Sequence, residues 1–270
     1  NSDAQYKYSM MLEQGYGVAK DDDKMRNYLK LSAKNENPNI EAVIKVGQTF
    51  LEANDTQSAL KYFQIASDQL DSPIGKFYYG KLLLMRKESK KSEISKKAAE
   101  YIRIAAENED ESNTAQAMAQ NLFGICLHEG IGVKKSIKEA IQYFEKAASK
   151  DYPPALFNLG LEQEKKKIAE IETKMKKKSL TQANPSLSPL SSPVSFPKSQ
   201  ATLGSKSSAP LMKSEIDHVK VFEKAFNNFK KAADSGLAEA CDYYASAIYE
   251  FNFSEAEKYF IKASKLGNID

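Results

Sequence analysis

At 270 residues, with 41% hydrophobic and 28% charged side chains, the chain is sized for one or two globular domains or for one elongated array with much surface per residue. A net charge of +3 gives no overall electrostatic footprint for nucleic acid. Two cysteines, Cys126 and Cys241, exclude a disulfide-rich scaffold and favour a reducing compartment, and no apolar run approaches the roughly 18 residues that a membrane span requires. The chain opens at Asn1 with a repeat already under way, so it reads as a piece of a longer protein.

From there a two-helix pattern recurs six times. In chain order, one small-residue column runs Ala4, Ala42, Gly75, Ala119, Ala155, Ala240, and a second, five residues later, runs Ser9, Gly47, Gly80, Gly124, Gly160, Ala245. A third runs Met25, Ala59, Ala98, Ala140, Ala225, Ala256, and three residues beyond it lies Tyr28, Tyr62, Tyr101, Tyr143, Asn228, Tyr259. Members of the last column are 34, 39, 42, 85 and 31 residues apart, a period that signals stacked helical hairpins.

The unit from Thr114 to Tyr152 shows the logic most fully. Its first helix carries Ala119, Leu122, Phe123, Ile125, Cys126 and Leu127, an apolar set broad enough for burial between neighbours. Gly130-Ile131-Gly132-Val133 then turns the chain, with Gly130 ending the helix at positive φ. Ser136 caps the second helix, with Glu139 completing a capping box; Asp21, Asp55 and Asn252 hold the same cap position in other units. Small columns let the two helices of a hairpin approach closely, and the tyrosine column fills the space to the next hairpin. Units two (Ile40–Gln69), three (Ser72–Asn108) and six (Ala238–Gly267) lack the Gly-x-Gly turn.

The fifth unit is interrupted. Residues Glu162 to Lys178 continue its first helix, with Ile168, Ile171 and Met175 at helical spacing. Ser179 to Pro210 holds ten serines and five of the nine prolines, a composition expected to stay disordered. From Lys165 to Glu215, ten lysines against three acidic residues give a basic insert in an otherwise mildly acidic array. Ser188-Pro189 and Ser192-Pro193 have the form of proline-directed phosphorylation sites, so Ser188 and Ser192 are the candidate phosphoacceptors. Lys165–Lys167 and Lys176–Lys178 are basic triplets of nuclear-import or anionic-lipid type, or simply solvated helix faces.

The register of Ala-x4-Gly, Gly15-Tyr16-Gly17-Val18 and its counterpart at 130–133, a cap residue three after the valine, and Ala-x2-Tyr closely resembles the Sel1-like repeat, a relative of the tetratricopeptide repeat. The resemblance covers roughly 1–165 and 216–267. It implies an all-α fold, a right-handed α-solenoid of stacked antiparallel helix pairs interrupted by the insert. The expected division is 1–164 (four repeats and the first helix of the fifth), 165–215 (basic extension and insert) and 216–270 (the rest of the fifth repeat and the sixth). The family resemblance also implies a scaffold or adaptor for protein complexes, here within a larger eukaryotic, cytoplasmic signalling protein. The alternative is an adaptor of endoplasmic-reticulum-associated degradation, which the sequons Asn54-Asp55-Thr56 and Asn252-Phe253-Ser254 would suit.

Nothing in the sequence nominates catalysis. The two histidines, His128 and His218, have no cysteines or carboxylates at metal-ligand spacing, so neither a metal nor a cofactor is expected. The Gly-x-Gly turns follow helices and lack the third glycine of a nucleotide loop. Bacterial relatives linked to hydrolase activity resemble hairpins stapled by two cysteines per repeat, against two in this whole chain. What remains is surface, and the partners expected are proteins or peptides, with no nucleic acid and no membrane span. First-helix positions that the packing columns do not use are the candidate contacts: Lys7, Met11, Lys45, Gln48, Lys76, Gln120, Asn121, Asn158, Asp242 and Tyr243. Tyr16 and Tyr249 are candidate exposed aromatics, with stacking between hairpins the favoured role for both. Both ends of the array look uncapped, so self-association is also expected.

Overall fold

The computed structural model describes residues 1–86, 93–108, 113–182, 222–250 and 252–267; at 113 and 177–182 it describes the backbone alone. Ser188, Ser192 and His218, with most of the Ser/Pro-rich insert, lie outside these residues. Among the described residues the fold is all-α, with twelve helices and no strand, arranged as antiparallel pairs. None of these helices is long and apolar enough to cross a membrane. The chain divides into two compact units, Asn1–Ala155 and Leu156–Asp270.

The first unit stacks four hairpins: α1 (Ser2–Gln14) with α2 (Asp22–Ala33), α3 (Ile40–Glu52) with α4 (Thr56–Gln64), α5 (Pro73–Met85) with α6 (Glu93–Glu107), and α7 (Asn113–Glu129) with α8 (Ile137–Ala148). Each hairpin closes over a small residue. A Cβ on Gly47 would sit 2.8 Å from the ring of Phe63, one on Gly80 would sit 2.8 Å from Ile102, and one on Gly124 would sit 2.6 Å from Phe144. In these three hairpins the residue after the tyrosine of the column thus plugs the glycine. Phe63, Ile102 and Phe144 are buried accordingly.

The turns explain the glycine pairs. Gly15 and Gly130 adopt φ of 77° and 74°, and Gly17 and Gly132 adopt 70° and 69°, a left-handed region that glycine enters without steric penalty. In both turns two successive N–H groups return to one helix carbonyl, Gly15 and Tyr16 to Met11, Gly130 and Ile131 to Cys126. The second helices then start on side-chain caps: Asp21 accepts from the Lys24 N–H at 2.9 Å, Asp55 from Ser58 at 3.0 Å and Ser136 from Glu139 at 3.4 Å. The capping box at Ser136 is modified. Glu139 accepts the Ser136 hydroxyl at 2.8 Å, while the Ser136 N–H donates to Leu127. Between the second and third hairpins, α4 runs on into a π-helical turn (Ile65–Gln69) that lays Ala66 and Ser67 against Gly75.

The second unit holds α9 (Pro153–Gln182), α10 (Glu223–Asp234), α11 (Ala238–Ile248) and α12 (Phe253–Gly267). Its core joins Phe222, Phe226, Phe229, Tyr244 and Ile248, with Ile168 and Ile171 of the α9 extension packed against it. Met175 does not follow them and is 52% exposed. The described helix runs four residues beyond Lys178, with no breaker before Pro185 in the sequence. Gly160 receives Phe229 as Gly124 receives Phe144, with a Cβ-to-ring approach of 2.5 Å. Asn252 caps α12 by accepting from the Glu255 N–H at 3.2 Å.

Candidate functional site

The surface of each unit follows from how consecutive hairpins join, because the joint decides which side chains remain free. Side chains of one repeat reach back to the repeat before it. On the first helices the reaching residue lies three after the first small column. Lys45 extends from α3 to Glu13 of α1 at 2.5 Å and to the Met10 sulfur at 3.5 Å. Tyr78 of α5 accepts from Gln48 Nε2 of α3 at 3.1 Å, and Tyr243 of α11 donates to Glu164 of α9. Burial first, then the neighbouring Glu164, holds the Tyr243 phenol above its ordinary range.

The second helices repeat the device with the tyrosine column. Tyr101 donates to Asp68 at 2.8 Å, Tyr143 to Glu107 at 2.9 Å and Tyr259 to Asp234 at 2.5 Å. In each case the acceptor lies six residues after the preceding column member. At Lys34, in the same position after Tyr28, no carboxylate is available to Tyr62, which stacks on Phe50 at 5.5 Å instead. Glu107 is shared with Arg103, whose guanidinium bonds it at 2.8 Å and grips Glu100 at 2.6 and 2.9 Å. Burial, then the bond to Glu107, pushes the Tyr143 phenol up to about 12. Burial also raises Asp68, yet bonds from Tyr101 and Ser67 and the charge of Lys97 leave it below its ordinary value. The perturbation of these groups comes from burial and from the bonds and charges where repeats join.

The ten candidate contacts separate accordingly. Lys7 and Asp242 are exposed, and Met11 is 38% exposed. Lys45, Gln48 and Tyr243 are half-buried and engaged as described; Asn158 is half-buried. Lys76, Gln120 and Asn121 point inward, each less than a tenth exposed. Lys76 is paired with Asp71, and Gln120 donates to the Ala106 carbonyl at 3.1 Å while its Oε1 has no hydrogen-bond donor. Their place one or two residues after the small column, where the helix faces its neighbours, accounts for this. Across α3 and α5 the structure joins Gln48 to Tyr78, and Tyr78, Lys81 and Met85 of α5 are three part-exposed residues that sequence reasoning passed over. Lys81 is exposed and Met85 is 69% exposed. The signal was present, since Tyr78 and Lys81 sit in the columns of Lys45 and Gln48.

Tyr16 and Tyr249 were expected between hairpins, but they are 68% and 50% exposed. Tyr16 follows the first left-handed turn glycine and projects from the hairpin; Tyr249 touches Phe253 and Phe260 at 5.5 and 6.2 Å. His128 Nδ1 lies 2.7 Å from a carboxylate oxygen of its neighbour Glu129. Cys126 is buried, which pushes its thiol up to about 12, and Cys241 is buried with its Sγ donating to the Ala233 carbonyl at 3.3 Å. Among the described residues no group of three or more histidine, cysteine or acidic side chains could hold a metal ion.

The family model of the Sel1 repeat matches residues 2–37, 46–69, 117–152, 216–237 and 239–268, just over half of the chain. The α5–α6 hairpin falls between matched segments, although it carries the same glycine slot and tyrosine bond. Among solved structures, a Sel1 repeat protein from Oxalobacter formigenes is similar over 97% of this chain and 85% of its own, at 18% identity and a TM-score of 0.64. The protein c5321, a protective antigen of uropathogenic Escherichia coli strains with an SLR fold, is similar over 99% of this chain and 47% of its own, at 15% identity and a TM-score of 0.56. At these identities the likeness is one of fold. No curated protein sequence matches.

Proposed function

The chain belongs to the Sel1 repeat family, and from that premise we propose that it is a non-catalytic scaffold or adaptor that binds proteins or peptides on the first-helix face of its N-terminal unit. The observation that carries this reading is the run of part-exposed side chains across α1, α3 and α5: Met11, Lys45, Gln48, Tyr78, Lys81 and Met85. Methionines supply adaptable apolar contact, lysines and amides supply orientation, and three parallel helices offer an extended track for a peptide. The setting proposed is a larger cytoplasmic signalling protein, with Ser188 and Ser192 as phosphorylation sites. A photo-crosslinking residue placed at Gln48 or Lys81 is expected to capture partner from a native extract, whereas one at the exposed Lys138 of α8 is not. Capture that is equal from Lys138 would remove the face from consideration.

A degradation adaptor in the endoplasmic reticulum remains the second reading. Its support is Asn54 of the first sequon, exposed with φ of 58° at the tip of the α3–α4 turn. A shift in gel mobility of the natural protein on glycosidase treatment, abolished by Asn54→Gln, would favour it over the cytoplasmic reading.

A further inference from the structure

At two internal joints between first helices, a residue of one repeat reaches a carboxylate of the repeat before it: Lys45 pairs with Glu13, and Tyr243 donates to Glu164. Tyr78 of α5 holds the same column as Lys45 and Tyr243, but the column of Glu13 and Glu164 carries Leu51 in the preceding repeat. The Tyr78 hydroxyl instead accepts from Gln48 at 3.1 Å, and its own O–H finds no acceptor among the described residues. Stacking on Phe63, with ring centroids 4.7 Å apart and planes 16° apart, fixes the ring while part of the side chain stays exposed. One turn further along the same face of α5 stands Lys81, exposed. Among the described residues neither Tyr78 nor Lys81 has a carboxylate partner, and the exposed Glu52 of α3 reaches neither.

Taking the first-helix face as a peptide-binding surface, as proposed above, we infer that its partner is an extended segment with an acidic side chain, whose carboxylate accepts from the Tyr78 hydroxyl and pairs with Lys81. Charge complementarity selects this occupant, because a cation and a hydroxyl proton stand one turn apart with no acid to answer them. The partner thus supplies what Glu13 and Glu164 supply at the other two joints. Lys45 does not compete for it, since Glu13 already answers its charge at 2.5 Å. With Gln48 Nε2 committed to Tyr78, Gln48 Oε1 is left to accept a backbone N–H of the same segment. Gln48, Tyr78 and Lys81 lie within α3 and α5 and not at their ends, so the segment continues on both sides and its acid is an internal side chain.

The test presents the full chain with randomised short peptides, acetylated and amidated so that side chains carry the only carboxylates, beside a matched library with free C-termini. Peptides that the unaltered chain selects from the first library are expected to carry Asp or Glu at one fixed position. Lys81→Glu is expected to replace that preference by Lys or Arg at the same position, a reversal that a misfolded variant would not produce. Tyr78→Phe, which keeps the ring on Phe63, and Lys81→Gln are each expected to weaken a selected peptide about fivefold to tenfold. Lys81→Gln should also flatten the loss of binding with added salt. Selection of no peptide, selection without an acidic position, an acidic preference that Lys81→Glu leaves intact, or binding confined to free C-termini would each overturn the acidic partner. A Gln48→Arg variant of unchanged helicity separates that failure from failure of the face itself. Peptides without acidic preference that Gln48→Arg still excludes would keep the first-helix face and remove only its acidic occupant, whereas peptides indifferent to Gln48→Arg would remove both.

Discussion

Tyr143 shows how much one hydroxyl settles in this molecule. Phenylalanine would fill the same space, so the recurrence of tyrosine rests on the bond to Glu107, and Tyr143→Phe is expected to cost below about 1 kcal/mol because the pair is part-exposed. A double-mutant cycle with Glu107→Gln should return a coupling of similar size, read from urea midpoints. Burial of the phenol, together with the same bond, sets an alkaline limit. The phenol titrates at about 12 in the folded chain against 10.0 ordinarily, so the unfolded chain loses its proton first. Stability is therefore full below pH 10 and falls as pH climbs from there toward 12; in Tyr143→Phe that fall should be shallower. Glycine requirements differ as sharply between equivalent positions. A Cβ on Gly132 would collide with the Ser95 carbonyl as well as strain a φ of 69°, whereas one on Gly17 would meet only the Met11 methyl at 3.8 Å. Gly17→Ala should cost about 1–2 kcal/mol, and Gly132→Ala at least about 3 kcal/mol once the backbone clash is added. Paired thermal melts would separate them, and equal losses would mean that the turn does not rest on α6 as described.

At the scale of the element, the second helices depend on their caps more than on their intrinsic propensity. Ser136→Ala removes both the acceptor for Glu139 N–H and the hydroxyl that holds its carboxylate, and is expected to lower stability by about 1 kcal/mol. Restoration by Ser136→Asp but not by Ser136→Val, in the same melts, would assign the loss to capping. The helices, caps and left-handed turns were legible in the sequence because each rests on neighbours within a few residues: Gly130 ends a helix, Ser136 begins one. The glycine slots were legible for a related reason, since their partners recur at a fixed offset. Lys76, Gln120 and Asn121 were not, because one position along a helix rotates a side chain by 100° and turns a surface residue into an interior one. Nor were Asp68, Glu107 and Asp234, six residues after Tyr62, Tyr101 and Asn228, which become visible only when two consecutive repeats are aligned in pairs instead of singly.

For the whole molecule, the two compact units have separate cores, one centred on Phe63 and Val43 and the other on Phe226 and Phe229. A chain ending at Tyr152 keeps all four hairpins of the first unit and is expected to unfold cooperatively, with near-complete helical signal per residue, in circular dichroism against urea. A gradual, sloping loss would show that the first unit borrows its cooperativity from the rest. Most charged bonds between repeats also have a polarity, the pair of Lys230 in α10 with Glu255 in α12 at 2.8 Å running the other way. Lys45, Tyr101, Tyr143, Tyr243 and Tyr259 each find a carboxylate earlier in the chain. A hairpin leaving the ribosome thus meets an acceptor that has already been synthesised, and for these bonds it never waits on one still to be made. Vectorial synthesis and the order of stacking run in the same direction, so each new repeat can be locked as it emerges, before a later and similar repeat can compete for its place.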